Sequence, residues 1–351
     1  MKKLLAASVA AIFLMTGCGS EASEPEKIST EKVAAAVETN FSLQDLIINT
    51  SPAKYSYENF IHDVEILRAL YPNQIQVLNL CTTPDGRQVV DIILGDINGE
   101  NQILIFGTMH AREYITMQIV MRQLCETLNP SGANYRGVPA AELLQGVTIH
   151  FVPDSNPDGV AISQFGLDGV KNPSIRNSVA AMTDDFEQWK SNANGVDLNR
   201  NFDAGWHEFV GSTYPGSERY KGTSPGSEPE AAALIRLTQD YHIKRAISYH
   251  TCGAVIYWYY KQSGSVLAES KKFAEEISSA TNYPLDDDYT ALDAAGYKDW
   301  AVYKLGVPSI TIEVGAETGG LINPVPQSRF GSIWERNKNV VLATAYNLKF
   351  K

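Results

Sequence analysis

Short apolar segments of strand length alternate with helical patterns along this chain, and this alternation most constrains its fold. Residues 102–106 form an apolar run that ends in Gly107, as buried strands of α/β proteins do. Similar strand patterns occur at residues 147–152, 245–249 and 309–314. Helical patterns occur at residues 57–71, 114–128, 229–241, 266–280 and 331–348. The alternation predicts an α/β fold with a mixed, mostly parallel sheet flanked by helices on both faces.

A hairpin and a long irregular segment complete this outline. Residues 75–80 and 88–94 are rich in apolar and β-branched side chains on either side of a Pro-Asp-Gly turn, which predicts a hairpin. Residues 153–229 show little periodic pattern and are crowded with Asn, Asp, Gly, Ser and Pro. Such long connections inside a compact domain are usually functional or disordered. No linker or repeat divides residues 53–351, so we expect one domain there.

The N-terminus has the pattern of an export signal. Two lysines precede an apolar stretch over residues 4–15, which is too short for a spanning helix and typical of a signal peptide at residues 1–17. The small residues before Cys18 resemble a lipoprotein cleavage site, and residues 18–52 begin with a small, polar, acidic tether. We expect an extracytoplasmic protein anchored to a membrane by a lipid on Cys18. An ordinary signal peptide with an incidental cysteine is the alternative.

Charge argues against a nucleic-acid partner, and the cysteine count limits the possible disulfides. The formal net charge is −11 and no run of Lys and Arg occurs, so a nucleic-acid partner has no electrostatic basis. Cys81, Cys125 and Cys252 remain after the proposed cleavage site. An odd number excludes a complete disulfide framework, and the sequence leaves any single pairing open.

Candidate metal ligands follow two of the predicted strands. His110 and Glu113 come directly after the first, where an α/β sheet gathers its binding sites, and residues three apart can point at one ion. Zinc in hydrolases typically takes two histidines and one carboxylate and keeps a position for water. His250 ends another strand and is the candidate third ligand for one zinc ion. Cys252 is an alternative fourth ligand, but it would close the site.

The chain resembles the zinc carboxypeptidases of the carboxypeptidase A-like family. The matching motifs, in order, are His110-Ala111-Arg112-Glu113, Asn156-Pro157-Asp158-Gly159, Val196-Asp197-Leu198-Asn199-Arg200-Asn201-Phe202, Ser248-Tyr249-His250 and Ile310-Thr311-Ile312-Glu313. This resemblance implies one α/β catalytic domain over residues 53–351, with zinc held by the two histidines and the first glutamate. The alternatives are a binding protein without catalytic activity and a zinc deacylase or esterase.

Two carboxylates have roles that the resemblance implies. Glu313 lies on a predicted strand among apolar neighbours, where a carboxylate is costly unless it is paired or catalytic. The matching glutamate of the family takes a proton from the attacking water and passes it to the leaving nitrogen. Asp197 resembles the carboxylate that accepts the second N–H of the first zinc histidine and so orients it. A buried structural glutamate is the alternative for Glu313.

The resemblance also assigns residues that bind substrate. Asn199 and Arg200 match the pair that grips a terminal carboxylate, for which a planar guanidinium is well suited. Arg112 would add positive charge to the same cleft. In so acidic a protein, the two arginines could instead form salt bridges at the surface.

Two family features lack a clear counterpart. The arginine that stabilises the oxyanion follows a tryptophan in the family, whereas Trp189 here precedes Lys190. We take Lys190 as a point-charge substitute, with Arg176 and Lys171 as rivals.

The mobile tyrosine of the family has no unambiguous match upstream of Asp299-Trp300 either. Tyr289 is our choice, with Tyr297 and Tyr283 as alternatives.

Lys298 bears on the substrate. It falls where the family sets its preference for the terminal side chain, and a lysine there should attract an extra carboxylate. A bacterial lipoprotein meets such groups in the diaminopimelate of peptidoglycan stem peptides, and bacterial relatives that cut γ-D-glutamyl-diaminopimelate bonds share this overall pattern. We therefore expect a cell-wall peptide substrate, with ordinary oligopeptides as the alternative. Lys298 could also be a solvated surface residue.

Overall fold

The computed structural model describes residues 54–287 and 294–351, all within one compact unit. Its helices are α1 (Tyr57–Leu70), α2 (Ile115–Leu128), α3 (Ala140–Leu144), α4 (Pro157–Phe165), α5 (Pro173–Met182), α6 (Pro229–Asp240), α7 (Gly264–Thr281), α8 (Tyr297–Lys304), α9 (Phe330–Asn337) and α10 (Val340–Phe350). Its strands are β1 (Ile75–Thr82), β2 (Gln88–Leu94), β3 (Asn101–Phe106), β4 (Asn134–Tyr135), β5 (Val138–Pro139), β6 (Val147–Val152), β7 (Arg245–Thr251), β8 (Val255–Tyr257), β9 (Leu285–Asp286) and β10 (Ser309–Val314).

Eight of these strands form one mixed sheet, in the order β1-β2-β6-β3-β7-β10-β8-β9. The central strands β6, β3, β7 and β10 run parallel to one another. Antiparallel pairs add β2 and β1 on one side and β8 on the other. The expected mixed, mostly parallel sheet is therefore confirmed, and the carboxyl ends of its central strands meet at one edge.

Helices cover both faces of the sheet because the buried strands are apolar on both sides. On β3, Ile103 and Ile105 pack into a core with α1, α2, α7, α9 and α10, whereas Leu104 and Phe106 pack into a second core with α6 and α8. All four side chains are fully buried. This two-sided packing confirms helices on both faces and holds the strand ends in place.

The segment 153–229 contains more regular structure than its composition suggested. Helices α4 and α5 lie within it, each beginning with a proline in its first turn and capped by an asparagine side chain. Asn156 Oδ1 accepts the N–H of Gly159 at 3.1 Å, and Asn172 Oδ1 accepts that of Ser174 at 2.9 Å. The prediction of an irregular segment was wrong at these helices. Asn-Pro is a helix start signal, but short helices leave little periodicity to detect.

Two further observations concern the rest of the chain. No helix in the two described ranges has the length and apolar character needed to cross a membrane. Cys81, Cys125 and Cys252 are free thiols, so none of the pairings left open by the sequence is present.

Candidate active site

Three neighbouring parallel strands, β3, β7 and β10, deliver the site residues to one edge of the sheet. His110 follows β3 after a turn in which Thr108 adopts a φ of 57°, and a short 3-10 helix then carries Glu113. His250 lies near the end of β7, directly opposite Glu313 on β10 in the parallel register. The strand pairing therefore brings together residues that are far apart in the sequence.

His110, Glu113 and His250 form a compact group of ligand atoms. Glu113 Oε1 lies 2.9 Å from His110 Nδ1, and Glu113 Oε2 lies 2.9 Å from His250 Nδ1. The two imidazole nitrogens are 3.0 Å apart. Ligand atoms about 2.1 Å from a tetrahedral zinc would lie roughly 3.4 Å from one another. Two nitrogens and a carboxylate at nearly this spacing are a donor set that fits zinc.

The electrostatics of this group favour a cation. Burial raises the pKa of Glu113, but the two imidazoles outweigh it and hold the pKa below its ordinary value. Burial, together with the charge of Lys190, lowers the pKa of His110. Burial also lowers the pKa of His250, yet the Glu113 carboxylate outweighs it and the pKa is raised. The site thus contains an ionised carboxylate between two imidazoles.

Asp197 lies behind the first histidine. Its Oδ1 is 3.2 Å from His110 Nε2, and its Oδ2 accepts the backbone N–H of Arg219 at 3.2 Å. The carboxylate is fully buried. Burial raises the pKa of Asp197, but Lys190 and His110 outweigh it and hold the pKa well below its ordinary value. A charged group in this position can orient the His110 ring, as the resemblance implied.

Glu313 lies beside the ligand group. Burial raises its pKa, and the nearby Glu113 charge adds to that rise. The turn after His250 packs against its side chain, and a Cβ on Gly253 would lie 2.6 Å from Glu313 Cβ. Only a glycine can therefore bring this turn so close, a role that sequence analysis did not assign to Gly253.

A cavity of about 330 Å³ opens over these groups. It brings together the metal-ligand candidates His110 and Glu113, the candidate base Glu313, the candidate oxyanion-stabilising residue Lys190, and the candidate substrate residues Arg112, Asn199, Arg200 and Lys298. The cavity is also lined by Thr251, Tyr257, Gly296, Asp299 and Thr311, which we did not single out as site residues. Thr311 could have been found, because residues two apart on a strand share a face and Glu313 lies two positions along.

The candidate carboxylate grip is held in place by backbone contacts. Asn199 Oδ1 accepts the N–H of Tyr297 at 3.0 Å, which anchors the amide to the start of α8. The Arg200 guanidinium donates to Asn199 O at 2.9 Å and lies 5.2 Å from the centre of the Phe209 ring. Both side chains are therefore oriented before a ligand arrives.

Arg112 combines both roles that the sequence allowed for it. Its Nη1 donates to the backbone oxygen and the side-chain oxygen of Gln188, each at 3.3 Å. Its Nη2 lies 3.8 Å from the half-exposed Glu218 carboxylate. The guanidinium thus lines the cleft and is paired at the surface as well.

The structure distinguishes the three candidate residues for stabilising the oxyanion. Lys190 lines the cavity. Arg176 is half-exposed on α5 and pairs with Asp168 at 3.2 Å, away from the cavity lining. Lys171 is likewise exposed, 3.7 Å from Glu58. The placement of Arg176 at the oxyanion is therefore not supported, because α5 turns this side chain toward solvent.

The three candidates for the mobile tyrosine lie either outside the described residues or in the protein interior. Tyr289 lies outside the described residues. Tyr297 is fully buried, with its hydroxyl 2.8 Å from Thr238 Oγ1. The Tyr283 hydroxyl donates to Glu317, and Asn337 Nδ2 contacts it at 3.0 Å. Both alternatives are therefore buried, and neither lines the cavity.

Comparisons with known proteins agree with this geometry. The family model described as zinc carboxypeptidase matches residues 61–340. The chain is 32% identical over 304 residues to gamma-D-glutamyl-L-diamino acid endopeptidase 1 of Lysinibacillus sphaericus, covering 83% of this chain and 72% of that protein. It is 27% identical over 267 residues to the uncharacterized protein YqgT of Bacillus subtilis, covering 73% and 68%.

A solved structure shows the same fold. The crystal structure of thrombin activatable fibrinolysis inhibitor matches with a TM-score of 0.70 at 21% identity, covering 92% of this chain and 81% of that one. The family match spans most of the chain, and the structure brings together His110, Glu113 and His250, the ligand set that the resemblance implied. The chain therefore belongs to the zinc carboxypeptidase family and is a zinc-dependent metallopeptidase.

Proposed function

We propose that this peptidase hydrolyses the amide bond between a γ-D-glutamyl residue and a diamino acid such as diaminopimelate in cell-wall stem peptides. The observation that carries the proposal is the cluster of cations in the cleft. Cations outnumber carboxylates in its lining, although the chain as a whole has a net charge of −11: Arg112, Lys190, Arg200 and Lys298 against Glu113, Asp299 and Glu313. The relative named as a gamma-D-glutamyl-L-diamino acid endopeptidase supports the same choice.

The chemistry of this linkage suits a cationic cleft. A γ-linked glutamate keeps its α-carboxylate free, separated from the scissile carbonyl by the α-carbon and two methylene groups. A diaminopimelate on the other side adds a carboxylate at its reacting centre and another at its far end. Asn199 and Arg200 would bind the carboxylate of the leaving residue, and Arg112 would face the glutamyl carboxylate.

The catalytic roles follow from the positions of the groups. His110, Glu113 and His250 would hold one zinc ion. When bound, zinc supplies Lewis acidity that polarises the scissile carbonyl and makes nearby water more acidic. Glu313 would take the proton of the attacking water and pass it to the leaving nitrogen, for which its raised pKa is favourable. Lys190 would place its charge beside the developing oxyanion.

A second candidate is a carboxypeptidase for ordinary oligopeptides. The observation in its favour is that Lys298 Nζ lies 2.6 Å from Asp299 Oδ1. This neighbour offsets the lysine charge, so the pocket does not select a simple acidic side chain as strongly as the sequence suggested.

The test is mass spectrometry of defined peptides after incubation with the purified enzyme. We expect L-Ala-γ-D-Glu-diaminopimelate to be cut at the γ-amide at least tenfold more efficiently than an α-linked peptide with the same terminal residue. Chelation should abolish cleavage and added zinc should restore it, because the family requires the metal.

Two matched variants complete the test. Glu313→Gln should lower kcat by about 10²–10⁴-fold with unchanged zinc content, since it removes the base but none of the ligands. Glu335→Gln, at an exposed position on α9, should behave as the wild type. Faster cleavage of α-linked peptides would favour the second candidate instead, and near-full activity of Glu313→Gln would contradict the assigned base.

We also propose that the protein is exported and held at the cell envelope through a lipid on Cys18. The charged start, the short apolar stretch and the small residues before Cys18 support this placement. Cys18 lies outside the described residues. Mass spectrometry of the mature N-terminus should find acylated Cys18 in the membrane fraction, and Cys18→Ser should release the protein. An unmodified N-terminus would contradict the lipid anchor.

A further inference from the structure

The motif Asn156-Pro157-Asp158-Gly159 is the one matching motif to which the proposed reaction gives no role. It follows β6, which pairs in parallel with β3, so it begins at the same edge of the sheet as the turn that carries His110. Asn156 is fully buried there and caps α4 with its side-chain oxygen. The cap uses only the oxygen, which leaves the amide nitrogen to contact other segments.

The amide nitrogen of Asn156 joins two segments of the active site. Nδ2 donates to Met109 O at 3.3 Å, one residue before His110. It also donates to Ser191 O at 3.2 Å, one residue after Lys190. A primary amide has two N–H groups, so one can serve each carbonyl. A single side chain thus connects the turn of a candidate metal ligand with the segment of the candidate oxyanion residue.

Two further contacts hold the same segments close together. The N–H of Ala111 donates to Lys190 O at 3.0 Å. A Cβ on Gly159 would lie 2.4 Å from Ser191 O and 2.6 Å from the side-chain amide of Asn156. Only a glycine lets the first turn of α4 approach the Ser191 carbonyl this closely, which explains the last residue of the motif.

The turn before His110 needs support from outside itself. Thr108 adopts a φ of 57°, a left-handed conformation that is unfavourable for a β-branched residue. Asp154 Oδ1 accepts the Thr108 hydroxyl at 2.7 Å. The residues after β6 therefore hold the turn at two points, Thr108 and Met109, and Asn156 extends this support to the segment of the oxyanion candidate.

We infer that Asn156 is a positioning residue, which holds the turn of His110 and the segment of Lys190 at a fixed separation. It lies outside the cavity lining that the described residues form, and it acts through two backbone carbonyls. A shift of about 1 Å at a catalytic group can lower a rate by about 100-fold, so such a link affects turnover. The inference rests on the proposed function only for the role of Lys190.

The first experiment compares two asparagine caps. Asn156→Ser keeps a capping oxygen but cannot donate to both carbonyls. Asn172→Ser makes the same change at the cap of α5, where the side chain accepts the N–H of Ser174. Zinc affinity is measured by competition with a chelator, without substrate. We expect Asn156→Ser to bind zinc about tenfold more weakly than the wild type, as when other outer contacts of a metal ligand are lost.

Asn172→Ser should bind zinc as the wild type does. Equal zinc affinities of the two serine variants would overturn the inference. If Asn156→Ser does not fold, Gly159→Ala decides, because its methyl group presses between the asparagine amide and Ser191 O. This variant should weaken zinc binding as well, and an unchanged affinity would refute the inference.

A double-mutant cycle tests the link to Lys190. The wild type, Asn156→Ser, Lys190→Gln and the double variant are loaded with zinc, and kcat/KM is measured on one peptide. Loss of the asparagine should lower kcat/KM by about tenfold when the lysine is present, and by about threefold or less when it is absent. An equal loss in both backgrounds would show that Asn156 does not position the lysine, which would overturn that half of the inference.

Failure of the inference can be told apart from failure of the proposed function. The chelator assay needs no substrate, and the cycle can use any peptide that the enzyme cuts. If γ-linked peptides are not cut, the proposed linkage is wrong, and both assays still decide on Asn156. If Lys190→Gln keeps full activity, the oxyanion role is wrong, and the zinc affinity of Asn156→Ser then decides the inference.

Discussion

The candidate metal site depends on single side chains whose roles differ although their chemistry is similar. Glu113 and Asp197 are buried carboxylates and Glu313 is a partly buried one; Glu113 and Glu313 line the cavity, and Asp197 lies behind His110. The charges around them hold the pKa of Glu113 and Asp197 below the ordinary value, whereas burial and a like charge raise that of Glu313. Their surroundings thus suit the first two to stay charged near a metal and the third to exchange a proton.

At this scale we predict that Asp197→Asn weakens zinc binding. The asparagine keeps the shape of the side chain but loses the charge that lies 3.2 Å from His110 Nε2. Loss of such a partner usually lowers metal affinity by about 10–100-fold. Competition with a zinc chelator would measure the change, and Asp203→Asn at the surface serves as the control. An unchanged affinity would show that Asp197 does not support the ligand.

The motifs included the candidate ligands His110, Glu113 and His250, and the structure brings their ligand atoms together. The motifs were less informative where several residue types can do one task. The sequence favoured Lys190 and left Arg176 and Lys171 as rivals. In the structure, Lys190 lines the cavity, whereas Arg176 and Lys171 lie at the surface beside Asp168 and Glu58.

The first turn of helix α6 contains a buried carboxyl group, that of Glu230. Glu230 is 1% exposed there, and burial, with the charges of Asp158 and Glu228, raises its pKa from 4.5 to about 8. Asn192 Nδ2 lies 3.3 Å from it, close to Glu228. The helix therefore docks most favourably when this carboxyl group carries a proton.

We predict that the protein loses stability as the pH rises from 4.5 to about 8. The folded pKa lies above the unfolded one, so the stabilisation is present below pH 4.5 and is lost as the pH rises through about 8. Between pH 6 and pH 9 this group should reduce the free energy of unfolding by about 3 kcal/mol.

Glu230→Gln isolates the effect, since glutamine cannot ionise and can still bond to Asn192. Urea unfolding of the zinc-loaded protein at several pH values should show a shallower decline for this variant than for the wild type. Equal slopes would mean that Glu230 is already ionised in the folded state. Glu335→Gln, exposed on α9, should retain the wild-type slope.

The strands were the elements that the sequence predicted best, because a buried strand needs a continuous apolar run. β3, β6 and β10 cover almost the same residues as their predicted counterparts. The short helices α4 and α5 escaped prediction, since ten residues or fewer provide few turns for a periodic pattern.

For the whole molecule, the site depends on long-range pairing of the chain. His110 and His250 are 140 residues apart, and the parallel pairing of β3 with β7 places their ring nitrogens 3.0 Å apart. A buried arginine gives a second long-range link: Arg87 pairs with Asp85 at 2.8 Å and with Asp158 at 3.0 Å, joining the first hairpin to α4. The fold thus joins distant segments around the edge that carries the cleft.

By itself, the sequence determined the family, the sheet with helices on both faces, and the set of side chains that can bind zinc. The family and the ligand set follow from the resemblance of the five motifs, whereas local periodicity suffices for the strands and helices because these follow from nearby residues. The tertiary structure alone decided that Lys298 is paired with Asp299, that Tyr297 is buried in the core, and that Arg176 faces solvent. The physical reason is that the partner of a side chain depends on which elements pack beside it, and packing joins residues that no local pattern relates.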